Sequence, residues 1–185
     1  MLKTAPRLSR VPRAQVPPSV AAIYDRYMRT RGNVPNMFRT VAHRPQIFET
    51  MIAHFEAILN TGTVPLRLKE LVIARTSQIN RCEYCLASHT KICLNLGWTR
   101  DQIDNLARFE SRDDFSPAEK AALRFAEMMT LDANKIPDDE FDSLRKHFDE
   151  GEIVELMAAI GLFNYFNRFN NALQMEPTKL GEGAE

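Results

Sequence analysis

Cys82, Cys85 and His89 stand in the segment Asn80-Arg-Cys-Glu-Tyr-Cys-Leu-Ala-Ser-His89, a C-x-x-C-x-x-x-H pattern in a chain otherwise sparing in reactive groups. Wound as a helix at about 100° per residue, the second cysteine lies roughly 60° and the histidine roughly 20° around the axis from the first, so the three share a face. Helical Cα atoms three positions apart are separated by about 5 Å, a span a disulfide can bridge. A helix N-terminus favours a thiolate, and an imidazole one turn away can take a thiol's proton. Such a pair attacks a peroxide O–O bond, forms a sulfenic acid and closes to a disulfide, which an external dithiol reopens by exchange. The helix start favours Cys82 as the attacking thiol and the i,i+4 relation to His89 favours Cys85, so the choice between them stays open.

Other chemistries compete at the same residues. Zinc or iron would need a fourth ligand, and Cys93 continues the stripe, but four ligands in one row along a helix cannot surround an ion. No metal and no cofactor is therefore expected. Cys93, with nothing arranged to activate it, reads as an inert core thiol. The pair could also serve a non-catalytic oligomer as a redox sensor, and a metal-binding helical protein is the remaining alternative.

Helices must position these groups, because the apolar residues recur at helical spacing and no stretch sustains alternation. Residues 19–31 place Val20, Ile23, Tyr24 and Tyr27 on one face and end at Gly32; a short helix spans Met37 to His43. Residues 46–60 carry an apolar stripe from Ile47 to Leu59, with His54 at its edge. His54 reads as a packed or interfacial histidine, or as part of a pocket. A helix from Pro65 to about Ser77 precedes the motif, and Asn80 with Glu83 three residues on is expected to cap the helix that carries the cysteines. Thr99…Gln102, Ser116…Glu119 and Asp149…Glu152 mark further helix starts, and Asp138 opens a short one. Residues 151–174 form an apolar helix interrupted by Asn164, Asn167, Arg168 and Asn171, a polar row that suits a subunit interface and argues against a membrane span. The fold class is all-α.

At 185 residues the chain suits a single helical domain over 17–176, with an extended N-terminal arm at 1–16 and a flexible tail at 177–185. Acidic and basic residues balance at 24 each, which gives no reason to expect nucleic acid or an anionic membrane as partner. The arm is basic (Lys3, Arg7, Arg10, Arg13) but has prolines and no apolar run, so it does not read as a signal peptide. Three cysteines make no disulfide framework, and a cytoplasmic, reducing location is expected.

Glu70, twelve residues before Cys82 in Pro65-Leu-Arg-Leu-Lys-Glu70-Leu-Val-Ile-Ala-Arg75, would by position alone face solvent near a helix start. The run from Glu70 through Cys82-Glu-Tyr-Cys85 to His89, however, resembles the alkylhydroperoxidase D / carboxymuconolactone decarboxylase family. With Gly32-Asn-Val-Pro-Asn-Met-Phe-Arg39 and Arg44-Pro45 it is similar to the uncharacterised peroxidase-related members, over roughly residues 17–174. The resemblance implies an all-helical fold assembled as a homo-oligomer, trimer or hexamer. It implies a site in which Glu70 polarises His89 and a thiol of the Cys82/Cys85 pair loses its proton. It further implies a hydroperoxide substrate and an external dithiol reductant of lipoyl or thioredoxin type. Where alkylhydroperoxidase D proper has a second histidine before the second cysteine, this chain has Tyr84, a far weaker base that can shape a pocket or donate a hydrogen bond.

Overall fold

The computed structural model describes residues 5–183; Lys3 and the ends of the expected arm and tail lie outside the described residues. All regular structure among them is helical. In chain order the α-helices are α1 (Pro18–Arg31), α2 (Asn36–Val41), α3 (Pro45–Asn60), α4 (Leu66–Ile79), α5 (Glu83–Asn95), α6 (Arg100–Asp104), α7 (Pro117–Asp132), α8 (Asp138–Arg145) and α9 (Glu150–Leu173). No described helix is long and apolar enough to cross a membrane.

The described residues group into two compact units, one running to Glu56 and resuming at Phe169, the other Ala57–Arg168. In the first, Tyr24, Phe38 and Phe48 meet edge to face at ring separations of 5.8–5.9 Å, and Tyr27 meets Phe38 at 5.0 Å. The segment before α1 contains a 3-10 turn at Arg13–Gln15 and is held by the Val11 N–H donating to the Arg39 carbonyl at 2.9 Å. Residues beyond α9 are also held: Arg10 pairs with Glu176 at 2.7 Å and with Glu182 at 3.0 Å, and the Val34 N–H donates to the Glu182 carbonyl.

The second unit contains the cysteine motif. Its core joins Leu71, Val72, Trp98, Leu106, Phe125, Leu156 and Ile160 from α4, α7, α9 and the segments between them. Reciprocal side-chain and backbone bonds start α6 at Thr99/Gln102, α7 at Ser116/Glu119 and α9 at Asp149/Glu152, the three positions expected from sequence. The start of α5 differs. Asn80 ends α4, its N–H donating to Thr76, and Arg81 follows in the left-handed region at φ 52°. Helix α5 begins at Glu83 with Cys82 itself as the N-cap, its Sγ accepting the Cys85 N–H. Asn80 cannot cap α5 because the Arg81 reversal separates it from that helix and its side chain is engaged by α9, donating to Asn164 and Asn167.

Lys69 is buried in this unit, 1% exposed. Its ammonium donates to the Ile58 and Thr61 carbonyls and pairs with Glu155 at 2.7 Å. Glu155 in turn accepts the Thr63 and Val64 N–H groups, which ties the turn before α4 to α9. Gly62 in that turn has φ 87°, and a Cβ there would collide with the Glu155 carboxylate, so both conformation and space require glycine.

Candidate functional site

Helix α4 supplies Glu70 and the turn after it supplies Cys82, while α5 supplies Cys85 and His89 and α9 closes over them with Phe163. Glu70 does not face solvent: it is 2% exposed, with Cys82 at 0%, Cys85 at 3% and His89 at 9%. A carboxylate at such a position must be hydrogen-bonded. Its Oε2 lies 2.6 Å from His89 Nδ1. An ionised carboxylate can only accept, so opposite it Nδ1 carries the proton, and in a neutral ring Nε2 is then the acceptor. Phe163 meets the imidazole edge to face, ring centroids 4.6 Å apart.

The two thiols are unbonded, with their sulfurs 2.9 Å apart. Cys82 Sγ also accepts the Cys85 N–H at 3.4 Å, where the free N–H groups of α5 converge. Sulfur is an unusual N-cap. It places the side chain directly on the positive end of the helix rather than within its first turn. His89 follows Cys85 by one turn on the same face, about 6 Å along the axis. The arrangement can therefore take up a thiol proton, hold the resulting charge and bring the two sulfurs to bonding distance with little backbone movement.

Cys93 is a different kind of thiol. It is fully buried, and its S–H donates to the Glu70 carbonyl at 3.4 Å. Burial first, then the Glu70 charge, pushes it up to about 12, so near neutrality it stays protonated.

Tyr84 lies between the cysteines on α5 and is half-buried; His54 is exposed on α3, within the first unit. Among the described residues no group of three or more His, Cys, Asp or Glu is arranged to hold a metal ion. Sequence reasoning missed the residues that hold the turn at Cys82. Asn80 Nδ2 donates to Asn164 Oδ1 at 2.9 Å and Asn167 Oδ1 at 3.0 Å, and Asn167 Nδ2 donates to Ser77 Oγ at 3.1 Å. Asn164 and Asn167 of the polar row on α9 thus have partners within the chain, in Asn80 and Ser77. The signal was present as the row of Asn164, Asn167, Arg168 and Asn171 on a largely apolar helix, but only the fold identifies the partners of Asn164 and Asn167.

Comparison with known proteins gives the family and the fold. The model of the carboxymuconolactone decarboxylase family matches residues 45–128. The uncharacterized protein YdfG of Bacillus subtilis (strain 168) is 37% identical over 106 residues, 57% of this chain and 72% of its own length. The uncharacterized protein YnjA of Escherichia coli (strain K12) is 30% identical over 152 residues, 80% of this chain and 82% of its own. Among solved structures, the alkylhydroperoxidase AhpD core of a peroxidase-related protein from Ralstonia eutropha JMP134 superposes with TM-score 0.85 at 26% identity, covering 94% of this chain and 93% of that one. The debrominase Bmp8, in complex with 2,3,4-tribromopyrrole, shares the fold with TM-score 0.79 at 22% identity over 98% of this chain and 95% of its own.

Proposed function

The chain belongs to the carboxymuconolactone decarboxylase family in its alkylhydroperoxidase D-like form, and on that footing we propose that it is a thiol-dependent hydroperoxidase working through Cys82 and Cys85. The observation that carries the proposal is the buried Glu70–His89 pair, 2.6 Å apart, with His89 one helical turn beyond Cys85, whose sulfur lies 2.9 Å from that of Cys82.

In this reading Glu70 orients the imidazole so that His89 Nε2 accepts the proton leaving the thiol pair. The charge settles on Cys82, beside the Cys85 N–H and in 2.9 Å contact with the Cys85 sulfur. The thiolate attacks one oxygen of R–OOH. The S–O bond forms, the O–O bond breaks, and the alkoxide takes the proton held by His89 to leave as R–OH. Cys85 then gives its proton to the neutral His89 and its sulfur attacks the sulfenic sulfur; the S–S bond forms, the S–O bond breaks, and hydroxide leaves as water with that second proton. Two thiols are oxidised and one peroxide is reduced. A dithiol of lipoyl or thioredoxin class restores the pair by exchange. A second reading has the Cys82/Cys85 pair reduce a carbon–halogen bond, the reaction class named for Bmp8: the carbon–halogen bond breaks, halide leaves, a thiol proton takes its place on carbon and the same disulfide forms.

Steady-state turnover of an alkyl hydroperoxide, compared side by side with dihydrolipoamide, a thioredoxin-type protein and glutathione as reductants, tests the proposal. Turnover that depends on a dithiol and disappears in Cys82→Ser and Cys85→Ser supports it. Undiminished turnover in either variant sinks it. Tribromopyrrole in place of the hydroperoxide distinguishes the dehalogenating alternative, and a stable disulfide with no turnover on any substrate assigns a redox sensor.

A further inference from the structure

The geometry points to Asn80, clamped by Asn164 and Asn167 of α9, as a positioning residue that holds the Cys82 sulfur on the N-terminus of α5. The inference rests on the proposed use of Cys82 as the charged thiol, and extends it to residues with no contact to substrate.

Between α4 and α5 the chain reverses within three residues, and the reversal runs through Arg81 at φ 52°, a left-handed conformation that is disfavoured for any residue with a Cβ. Something must hold it. The backbone contributes three bonds: Asn80 N–H to Thr76, Arg81 N–H to Gln78, and Cys82 N–H to Ser77 O at 3.0 Å. The side chains contribute a closed circuit. Asn80 donates to both Asn164 and Asn167, Asn167 donates to Ser77 Oγ, and the Ser77 carbonyl receives the Cys82 N–H. Asn167 and Ser77 are fully buried, so loss of one partner leaves another polar group unsatisfied. Asn164 is itself fixed, its amide donating to Thr130 Oγ1 at 3.2 Å and its oxygen accepting from Arg168 at 2.9 Å.

Helix α9 thus touches the site at two places one residue apart. Phe163 sets the His89 ring, and Asn164 with Asn167 sets the turn that ends at Cys82. With the turn loosened, Arg81 relaxes toward the commoner backbone regions and Cys82 Sγ leaves the Cys85 N–H. The helix terminus then no longer stabilises a thiolate there.

The thiolate absorbance near 240 nm, followed against pH in the Cys85→Ser protein, reads this directly. The N–H of position 85 survives that substitution, and Cys93 stays protonated through the range used. Adding Asn80→Ala is expected to leave about tenfold less thiolate at a given pH, a rise of about one pH unit in the midpoint. Ser77→Ala, which removes one hydroxyl from the circuit, is expected to move it in the same direction by less, and serves as the readout if Asn80→Ala does not fold. A midpoint unmoved in the folded variants, whatever happens to their melting temperature, would overturn the inference and leave Asn80 a purely structural residue. The titration needs no peroxide. Inactivity of the parent toward hydroperoxides with the midpoint shift present refutes the hydroperoxidase alone, and turnover without the shift refutes the positioning role alone.

Discussion

Replacing Glu70 by glutamine keeps the length and planarity of the side chain and removes its charge. In the parent, Glu70 Oε2 accepts from His89 Nδ1 at 2.6 Å with both groups buried, so this oxygen balances the positive charge the ring acquires on taking a thiol proton. A glutamine oxygen can still accept the hydrogen bond and orient the ring, but the charge is left without its partner. A hydrogen bond to a charged group contributes about 1.5–3 kcal/mol. At 1.36 kcal/mol per decade this is roughly 10- to 150-fold in the rate of proton-coupled attack. The assay is single-turnover: reduced protein is mixed with excess alkyl hydroperoxide, quenched in acid, and its remaining thiols counted against time. Glu70→Gln is expected to react roughly 10- to 150-fold more slowly, and His89→Ala at least as slowly. Because the two residues act as a unit, the double variant is expected to be no slower than His89→Ala alone. A Glu70→Gln protein that folds normally and reacts within about threefold of the parent, below the smallest loss expected for a charged hydrogen bond, would refute the reasoning.

Elsewhere the structure makes further demands. Lys69→Met strands the Glu155 carboxylate and two carbonyls, and is expected to destabilise by about 3 kcal/mol, a fall of roughly 6–12 °C in melting temperature; an unchanged melting point would contradict the buried pair. Burial pushes the Glu155 carboxyl up, but Lys69 and the Thr63 and Val64 N–H groups outweigh it and hold it below its ordinary value. Since the folded value is the lower one, this stabilisation is full above the unfolded-state value of about 4.3 and is lost as pH falls through the folded value. The stability gap between parent and Lys69→Met, measured by denaturant titration, should therefore be constant near neutrality and shrink below about pH 4. For Cys93, alkylation of the native protein at pH 8 is expected to spare it, since the thiol is pushed up to about 12. Cys93→Ala is expected to leave the thiol-oxidation rate unchanged while lowering stability by about 1 kcal/mol. A loss of rate would move Cys93 into the reacting set.

Much of the scaffold was legible because its signals are local. The side chain–backbone pairs at Thr99, Ser116 and Asp149 start helices where the sequence places them, and Gly32, at φ 74°, ends α1 as a left-handed cap should. The juxtaposition of Glu70 with His89 was legible only through family resemblance. Its position in the first turns of α4 is equally compatible with a solvated residue, and burial depends on the packing of α4 against α5. Two features escaped because they depend on distant segments. Asn80 has the side chain of an N-cap, but Asn164 and Asn167, more than eighty residues later, compete for it and win, so the cap passes to Cys82. The partners of Asn164 and Asn167 escaped because nothing in the sequence of α9 identifies Asn80 and Ser77 as their neighbours. Lys69 likewise reads as a surface lysine until the turn at residues 61–64 and Glu155 enclose it.

The central claim is that Cys82 and Cys85 form the redox pair. Its most direct test is mass-spectrometric mapping of the fully reduced protein after reaction with one equivalent of alkyl hydroperoxide. The account predicts two thiols lost per subunit, one equivalent of alcohol formed, and a single Cys82–Cys85 disulfide with Cys93 still reduced. Hydroperoxide consumed with all three thiols intact, or a disulfide that includes Cys93, would contradict it.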